Sequence, residues 1–115
     1  MINQKKEVTK MPRYYLQWET KESLIATDPV KGAKLALSLL EMVKQDMQTG
    51  RTKDWGYIPG ESRGYSIVEE SNESDLAIGM MKWTPYLNFE VKPVLTLDQT
   101  IESFKKVAAG AKVKK

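Results

Sequence analysis

The stretch KDWGYIPGESRGYSIVEE, residues 53–70, constrains the fold of this chain more than any other segment. It contains two short runs rich in aromatic and β-branched residues, Asp54–Ile58 and Tyr65–Glu69, separated by a segment with one proline and two glycines. Such runs joined by a short Pro- and Gly-containing loop are typical of a β-hairpin. We therefore predict two antiparallel strands here, and the remaining elements must pack around them.

A strand and a long helix are predicted before the hairpin. Residues 13–19 alternate between apolar and mixed positions, which is typical of a strand with one buried face. Asp28 and Pro29 are suited to the N-cap and first turn of a helix, which is predicted over residues 30–48 and closed by Gly50. The apolar sector of this helix is wider than one sheet contact requires. We therefore expect it to touch a second helix of the chain or a partner as well.

A short helix, a strand and a last helix are predicted after the hairpin. The short helix covers residues 73–82, and residues 86–92 alternate as a strand. Pro93 cannot donate to a strand ladder, which predicts an edge strand or one that bends away. Thr96 and Gln99 have the spacing of a capping box at the start of the last helix.

This order of elements predicts the α+β class. It is the ferredoxin-like β-α-β-β-α-β unit, with an antiparallel four-stranded sheet and an extra C-terminal helix. We predict one domain over residues 13–108, preceded by a mobile extension over residues 1–12 and followed by a charged tail over residues 109–115. Helices should cover one face of the sheet. The other face carries large side chains and is expected to need cover, since an exposed apolar patch is an interface or a liability.

Composition excludes several classes of site. The chain has no cysteine and no histidine, which rules out disulfides, thiolate nucleophiles, zinc–thiolate centres and the commonest general base. Residues 13–104 contain ten Lys and Arg against fourteen Asp and Glu, a net charge of −4, so the basic residues concentrate at the two ends. No apolar run approaches a membrane span, and residues 1–10 lack the apolar core of a signal peptide. We expect a cytoplasmic protein with no metal, no cofactor, no membrane contact and no nucleic-acid partner.

The segments RYYLQWE, GRTKDWGY, RGYSIVE and WTPYLNFEVKPVL resemble those of the dimeric α/β-barrel superfamily, and more narrowly its small stand-alone members of unestablished function. The resemblance spans residues 13–104. It implies that two ferredoxin-like protomers pack open face against open face around a central cleft. Characterised members include muconolactone isomerases, cofactor-independent monooxygenases and haem-degrading enzymes. Several of them use histidines, which this chain lacks, so the resemblance implies no catalytic residue here.

Strand alternation places a candidate cleft on the sheet face turned away from the helices. If Tyr14, Leu16 and Trp18 face the helices, polar and aromatic side chains should line the cleft. The candidates are Tyr15, Gln17, Glu19, Trp55, Tyr57, Tyr65, Asn88 and Glu90. A register slip of one residue would instead turn Tyr14, Leu16 and Trp18 into the cleft.

Two interpretations of these candidates remain open. Glu19 and Glu90 could act as an acid and base pair in a sheltered cleft, or could bind solvent, a lysine or a partner subunit. The aromatic residues could line a small-ligand site, or form a dimer interface, or do both. Arg63, Gly64 and Tyr65 match the start of an RNA-recognition signature, but Glu70 places a negative charge at its last position, which argues against RNA binding.

The sequence thus predicts a homodimer that binds a small, partly apolar molecule, with cofactor-independent catalysis possible and no catalytic residue assigned. The alternative is a non-catalytic, self-associating structural or regulatory module. A dimer interface should be apolar at its centre, whereas a ligand cleft tolerates a few convergent polar groups. The polar residues among the candidates favour the cleft.

Overall fold

The computed structural model describes residues 11–110. Most of the predicted N-terminal extension and of the predicted charged tail therefore lies outside the described residues. The strands are β1 (Arg13–Thr20), β2 (Thr52–Tyr57), β3 (Arg63–Glu69) and β4 (Leu87–Val94), and the α-helices are α1 (Pro29–Gln48), α2 (Glu73–Met80) and α3 (Leu97–Ala108), with a single 3₁₀ turn at Glu22–Leu24.

The four strands form one sheet in the order β2-β3-β1-β4, and every neighbouring pair is antiparallel. This order is compatible with the ferredoxin-like arrangement, and the α+β class predicted from the sequence is confirmed. β4 lies at the edge of the sheet, as Pro93 predicts, because a proline there costs no ladder hydrogen bond.

The hairpin turn fixes which side chains of β2 and β3 share a face. Pro59 and Gly60 form its corner: Gly60 has φ of 86°, and the amide of Glu61 donates to the carbonyl of Ile58. This geometry is typical of a type II turn, which favours proline followed by a residue with positive φ. The resulting register pairs Gly56 with Tyr65. From Asp54 to Tyr57, each residue of β2 therefore shares a face with the residue directly opposite on β3, so Gly56 shares a face with Tyr65 and Trp55 with Ser66.

Local sequence signals determine the ends of the helices. The Asp28 carboxylate accepts a hydrogen bond from the amide of Val30 at 3.0 Å, and Gly50 follows α1 with φ of 85°. Asn72 caps α2 through the amide of Asp75. Thr96 and Gln99 form the complete capping box predicted for α3. Each of these contacts satisfies a backbone group that a helix end leaves without a partner.

The small core lies between α2 and the helix-facing side of the sheet. Tyr14 and Leu16 of β1, Val68 of β3 and Leu76 of α2 are almost fully buried and form one cluster. The predicted orientation of β1, with its apolar face towards the helices, is therefore confirmed. Burial raises the pKa of the Tyr14 hydroxyl above its ordinary value, with a smaller contribution from nearby carboxylates.

The helix α1 contributes no buried residue to this core. Leu35 and Leu39 are half-buried towards the sheet, whereas Leu37, Leu40 and Met47 are exposed. The exposed apolar sector agrees with the width of the apolar pattern in the sequence. In the part of the chain that the structure describes, no helix has the length and apolar character needed to cross a bilayer.

Candidate functional site

A cavity of about 590 Å³ separates α1 from the helix-facing side of the sheet. Its α1 wall includes Gly32, Ala33 and Ala36 next to Leu39 and Val43, so small side chains occupy much of the helix surface that faces the sheet. Because these residues reach only a short way towards the strands, the helix covers the sheet without filling the space beneath it. The cavity is mainly apolar and has the size of a small-ligand site.

Two indole rings form part of the sheet side of this cavity. Trp18 of β1 and Trp55 of β2 stack with ring centroids 5.5 Å apart and planes at 14°. The Trp18 ring crosses β3 directly over Gly64, where any Cβ atom would overlap it, and its Nε1 donates to the carbonyl of Tyr65 at 3.2 Å. The glycine therefore permits the indole to lie flat on the sheet. The result is a broad, rigid aromatic surface that faces the cavity.

The hydroxyl groups of Thr52 and Ser66 lie on the floor of the cavity. Thr52 and Ser66 are each 7% exposed, and both line the cavity from neighbouring strands. Neither hydroxyl makes a hydrogen bond within residues 11–110, and neither oxygen is sealed from all accessible surface. An accessible hydroxyl without a protein partner can exchange hydrogen bonds with water or with a bound molecule. These hydroxyls are therefore available to a hydrogen-bonding group inside the cavity.

An ion-pair network closes one end of the cavity. Arg51 contacts the Glu70 carboxylate through Nε and lies 3.8 Å from the Asp46 carboxylate. Lys82 donates to the other Asp46 oxygen at 2.8 Å. Asp46 and Arg51 are the only charged residues among the described cavity-lining side chains, and each already has an oppositely charged neighbour. The cavity thus offers no uncompensated charge to a ligand.

Gly79 in the middle of α2 makes this network possible. A Cβ atom at that position would overlap the Arg51 guanidinium. Glycine is a poor helix former, so a glycine inside α2 costs stability unless the position requires one. Its structural reason is the close approach of the arginine head group to the helix backbone.

The face of the sheet opposite the cavity, here called the open face, has an aromatic centre. Tyr15 and Tyr65 stack with ring centroids 6.3 Å apart, and Ile67 pairs with Tyr15 across the strands. The Tyr65 hydroxyl donates to Asp54 at 2.9 Å. This hydrogen bond is the main cause that raises the pKa of Tyr65 above its ordinary value, with smaller contributions from burial and neighbouring charge.

The predicted cleft residues divide between the two faces. Trp55 and Tyr57 line the cavity under α1. The other six lie on the open face: Tyr15, Gln17, Glu19, Tyr65, Asn88 and Glu90. The division arises from the hairpin register, which puts Tyr65 opposite Gly56 and therefore on the other side of the sheet from its neighbours Trp55 and Tyr57. Turn geometry determines this register, whereas alternation within each strand does not.

On the open face, the two predicted carboxylates are diagonal neighbours. Glu90 pairs with Gln17, and Glu19 pairs with Asn88, so the two glutamates are offset by two positions along β1 and β4. Both are exposed. Lys21 donates to the Asn88 side chain at 2.9 Å, which places a cation beside them.

The two cavity hydroxyls are not among the predicted cleft residues, although the sequence carries a signal for one of them. Alternation in RGYSIVE places Gly64, Ser66 and Val68 on the buried face, so a small polar residue interrupts an otherwise apolar position. Thr52 gave no such signal, because the irregularity between Thr52 and Asp54 changes the alternation of β2.

Within residues 11–110, no three acidic side chains are grouped in a way that would hold a metal ion. No curated protein and no solved structure matches the chain significantly. Residues 12–108, which run from the residue before β1 to the end of α3, match a protein family described as "Domain of unknown function (DUF3303)". The chain therefore belongs to the DUF3303 family.

Proposed function

We propose that this protein binds a small, uncharged and largely apolar molecule in the cavity between α1 and the sheet. The observation that carries the proposal is that the hydroxyls of Thr52 and Ser66, which make no hydrogen bond within residues 11–110, line a mainly apolar cavity of about 590 Å³. Ligand sites are commonly apolar cavities of this size with a few polar groups that fix orientation. The two hydroxyls provide such groups.

The ion-pair network supports an uncharged ligand. Asp46 and Arg51 have oppositely charged neighbours, and a charged ligand would have to compete with those pairs or remain unpaired inside the cavity. Desolvating an unpaired charge is far more costly than desolvating a hydroxyl. The Trp18–Trp55 surface favours a flat ligand, because parallel aromatic rings gain contact area by offset stacking.

We further propose that two copies pack through their open sheet faces, as in a dimeric α/β barrel. Tyr15, Tyr65 and Ile67 give that face an apolar centre, while Arg13 and Glu69 lie beside it as a salt bridge at 2.7 Å. An apolar centre within a polar rim is the usual anatomy of a protein interface. In such a dimer the predicted glutamates of the open face would lie at the subunit boundary, away from the cavity.

Native mass spectrometry of the purified protein tests both parts, because it reports subunit number and retained ligand mass together. Dimers, or assemblies built from such dimers, that carry an additional small mass per subunit are the expected result. A dimer without added mass would favour the non-catalytic, self-associating module, and a monomer would contradict the open-face interface.

Binding of Nile red, an uncharged planar dye, tests the location of the site. Thr52→Val and Ser66→Ala each remove one cavity hydroxyl and should weaken dye binding about two- to tenfold, the range expected for one hydrogen bond. Ser38→Ala is the matched control, since Ser38 lies on the exposed side of α1 and bonds to the carbonyl of Leu35. Equal dye affinity for all four proteins would show that the hydroxyls do not contact the ligand.

A further inference from the structure

The helix α3 exposes an apolar stripe that the described chain does not cover. Leu97 is 75% exposed, Phe104 71% and Val107 62%, and the helix has no buried residue. Its N-terminus is nevertheless fixed by a complete capping box. An isolated helix of this length is marginal in water, so its stability normally depends on packing of its apolar face.

The spacing of the stripe is that of a helix pair. Leu97, Ile101, Phe104 and Ala108 follow each other at intervals of four, three and four residues. This spacing matches the seam positions of a coiled coil, in which each apolar side chain inserts between residues of a facing helix. The stripe is therefore shaped to receive another helix.

Charges beside the stripe identify which helix fits. Asp98 and Lys105 are exposed on the same flank, seven residues apart, and neither has an ion-pair partner within residues 11–110. If a second α3 packs antiparallel, Ile101 of one copy faces Phe104 of the other, and Asp98 of each copy lies near Lys105 of the other. In a parallel pair each of these flank positions would instead lie beside the opposite flank of the other copy, so Lys105 would face Thr100 and neither charge would gain an oppositely charged partner.

We propose that α3 pairs antiparallel with α3 of a second copy of this chain, with two Asp98–Lys105 contacts related by the twofold axis. Self-complementary contacts of this kind are characteristic of twofold interfaces. The open sheet face fits the stripe poorly as an alternative, because charged and amide side chains surround its few apolar residues. The helix pair is separate from the proposed open-face interface, and the two together would join dimers into larger assemblies.

Charge reversal in the full chain tests the pairing, with self-association measured by sedimentation at low salt. Asp98→Lys and Lys105→Glu should each weaken association about tenfold, because each converts two attractive contacts into repulsive ones. The double variant Asp98→Lys/Lys105→Glu restores both attractions and should regain association within about twofold of wild type. Circular dichroism of each variant reports whether α3 itself remains helical.

A matched control carries the same charge change as Lys105→Glu away from the stripe. Lys106→Glu lies on the opposite side of α3 and should leave association within about twofold of wild type. In addition, Phe104→Asp places a charge in the seam and should halve the number of subunits in the largest wild-type assembly. Unchanged assembly in Phe104→Asp, or failure of the double reversal to rescue helical single variants, would overturn the proposal.

Nile red binding by the same variants separates this proposal from the proposed function. The cavity lies under α1 and contains no residue of α3, so dye affinity should stay within about twofold of wild type. If the wild-type protein does not bind the dye, the proposed ligand site is contradicted and the proposed α3 pair is unaffected. Conversely, normal dye binding with uniform self-association in every α3 variant would overturn the helix pair alone.

Discussion

Replacing Gly79 with alanine should destabilise the protein, although alanine is the better helix former. Alanine in the middle of an exposed helix contributes about 0.5–1 kcal/mol relative to glycine. At this position, however, the added Cβ would overlap the Arg51 guanidinium and displace it from Glu70 and Asp46. A hydrogen bond to a charged group contributes about 1.5–3 kcal/mol. The net result expected for Gly79→Ala is a loss of about 1–2 kcal/mol.

A double-mutant cycle isolates this mechanism. When Arg51 is first replaced by alanine, the clash disappears, and Gly79→Ala should then stabilise the protein by about 0.5–1 kcal/mol through helix propensity. The coupling between the two sites is therefore expected to be about 2 kcal/mol. This coupling energy is expected because the Arg51 and Glu70 side chains are only 20% and 17% exposed to solvent. A solvent-exposed ion pair would contribute little.

Urea denaturation of the four proteins at one fixed protein concentration measures the cycle, since oligomerisation would otherwise shift the apparent stability. Equal stabilisation by Gly79→Ala in both backgrounds would refute the reasoning. It would mean that the guanidinium moves aside at no cost, and that the network contributes nothing measurable.

Three further measurements test the face assignments. In urea denaturation, Gly64→Ala should lower the free energy of unfolding by more than about 2 kcal/mol, because its Cβ would overlap an indole ring and a backbone oxygen of β2. Gly32→Ala in α1 is the control: its Cβ meets only ordinary contacts, so it should raise the free energy of unfolding by about 0.5–1 kcal/mol. The hydrogen bond from Tyr65 to Asp54 raises the pKa of Tyr65, so its contribution to stability is complete below pH 10.0, the ordinary pKa of tyrosine. This contribution is lost as the pH rises through the raised pKa of the folded state. Asp54→Asn should therefore lower that pKa in an absorbance titration and weaken the alkaline dependence of stability, and an unchanged titration would exclude the bond. Glu90→Gln, on the exposed face, should change the free energy of unfolding by less than about 0.5 kcal/mol, and unfolding of that variant would contradict its placement.

Much of the fold was predictable because its signals are local. Asp28-Pro29 before α1, the Thr96 and Gln99 capping box, and Pro93 in β4 each act within a few residues, and the structure confirms all of them. The placement of Trp55 and Tyr65 on opposite faces of the sheet was not predictable in this way. It depends on the hairpin register, which the turn geometry determines and which periodicity within either strand does not report.

The cavity could not be predicted for a different physical reason. Periodicity identifies which side of α1 faces the sheet, but it does not report how far the helix stands from it. That distance depends on side-chain size on both surfaces, and here Gly32, Ala33 and Ala36 on the helix wall and Ser66 and Thr52 on the sheet wall are all small. Small residues on two facing surfaces leave space, whereas small residues opposite large ones would fill it. The cavity could therefore be recognised only once the structure showed which side chains of α1 and of the sheet face each other.

The small residues on both walls of the cavity also connect the stability of the fold to ligand binding. The helix α1 has no buried residue, so it gains less from burial than a helix of its length normally does. A molecule in the cavity would contact Leu39 on one side and the Trp55 ring on the other, and would supply the packing that the side chains leave incomplete. A ligand that binds only the folded state raises stability by an amount that grows with its concentration relative to its dissociation constant. Occupancy of the cavity should therefore slow hydrogen exchange in α1 more than in α2, which already packs on the core through Leu76.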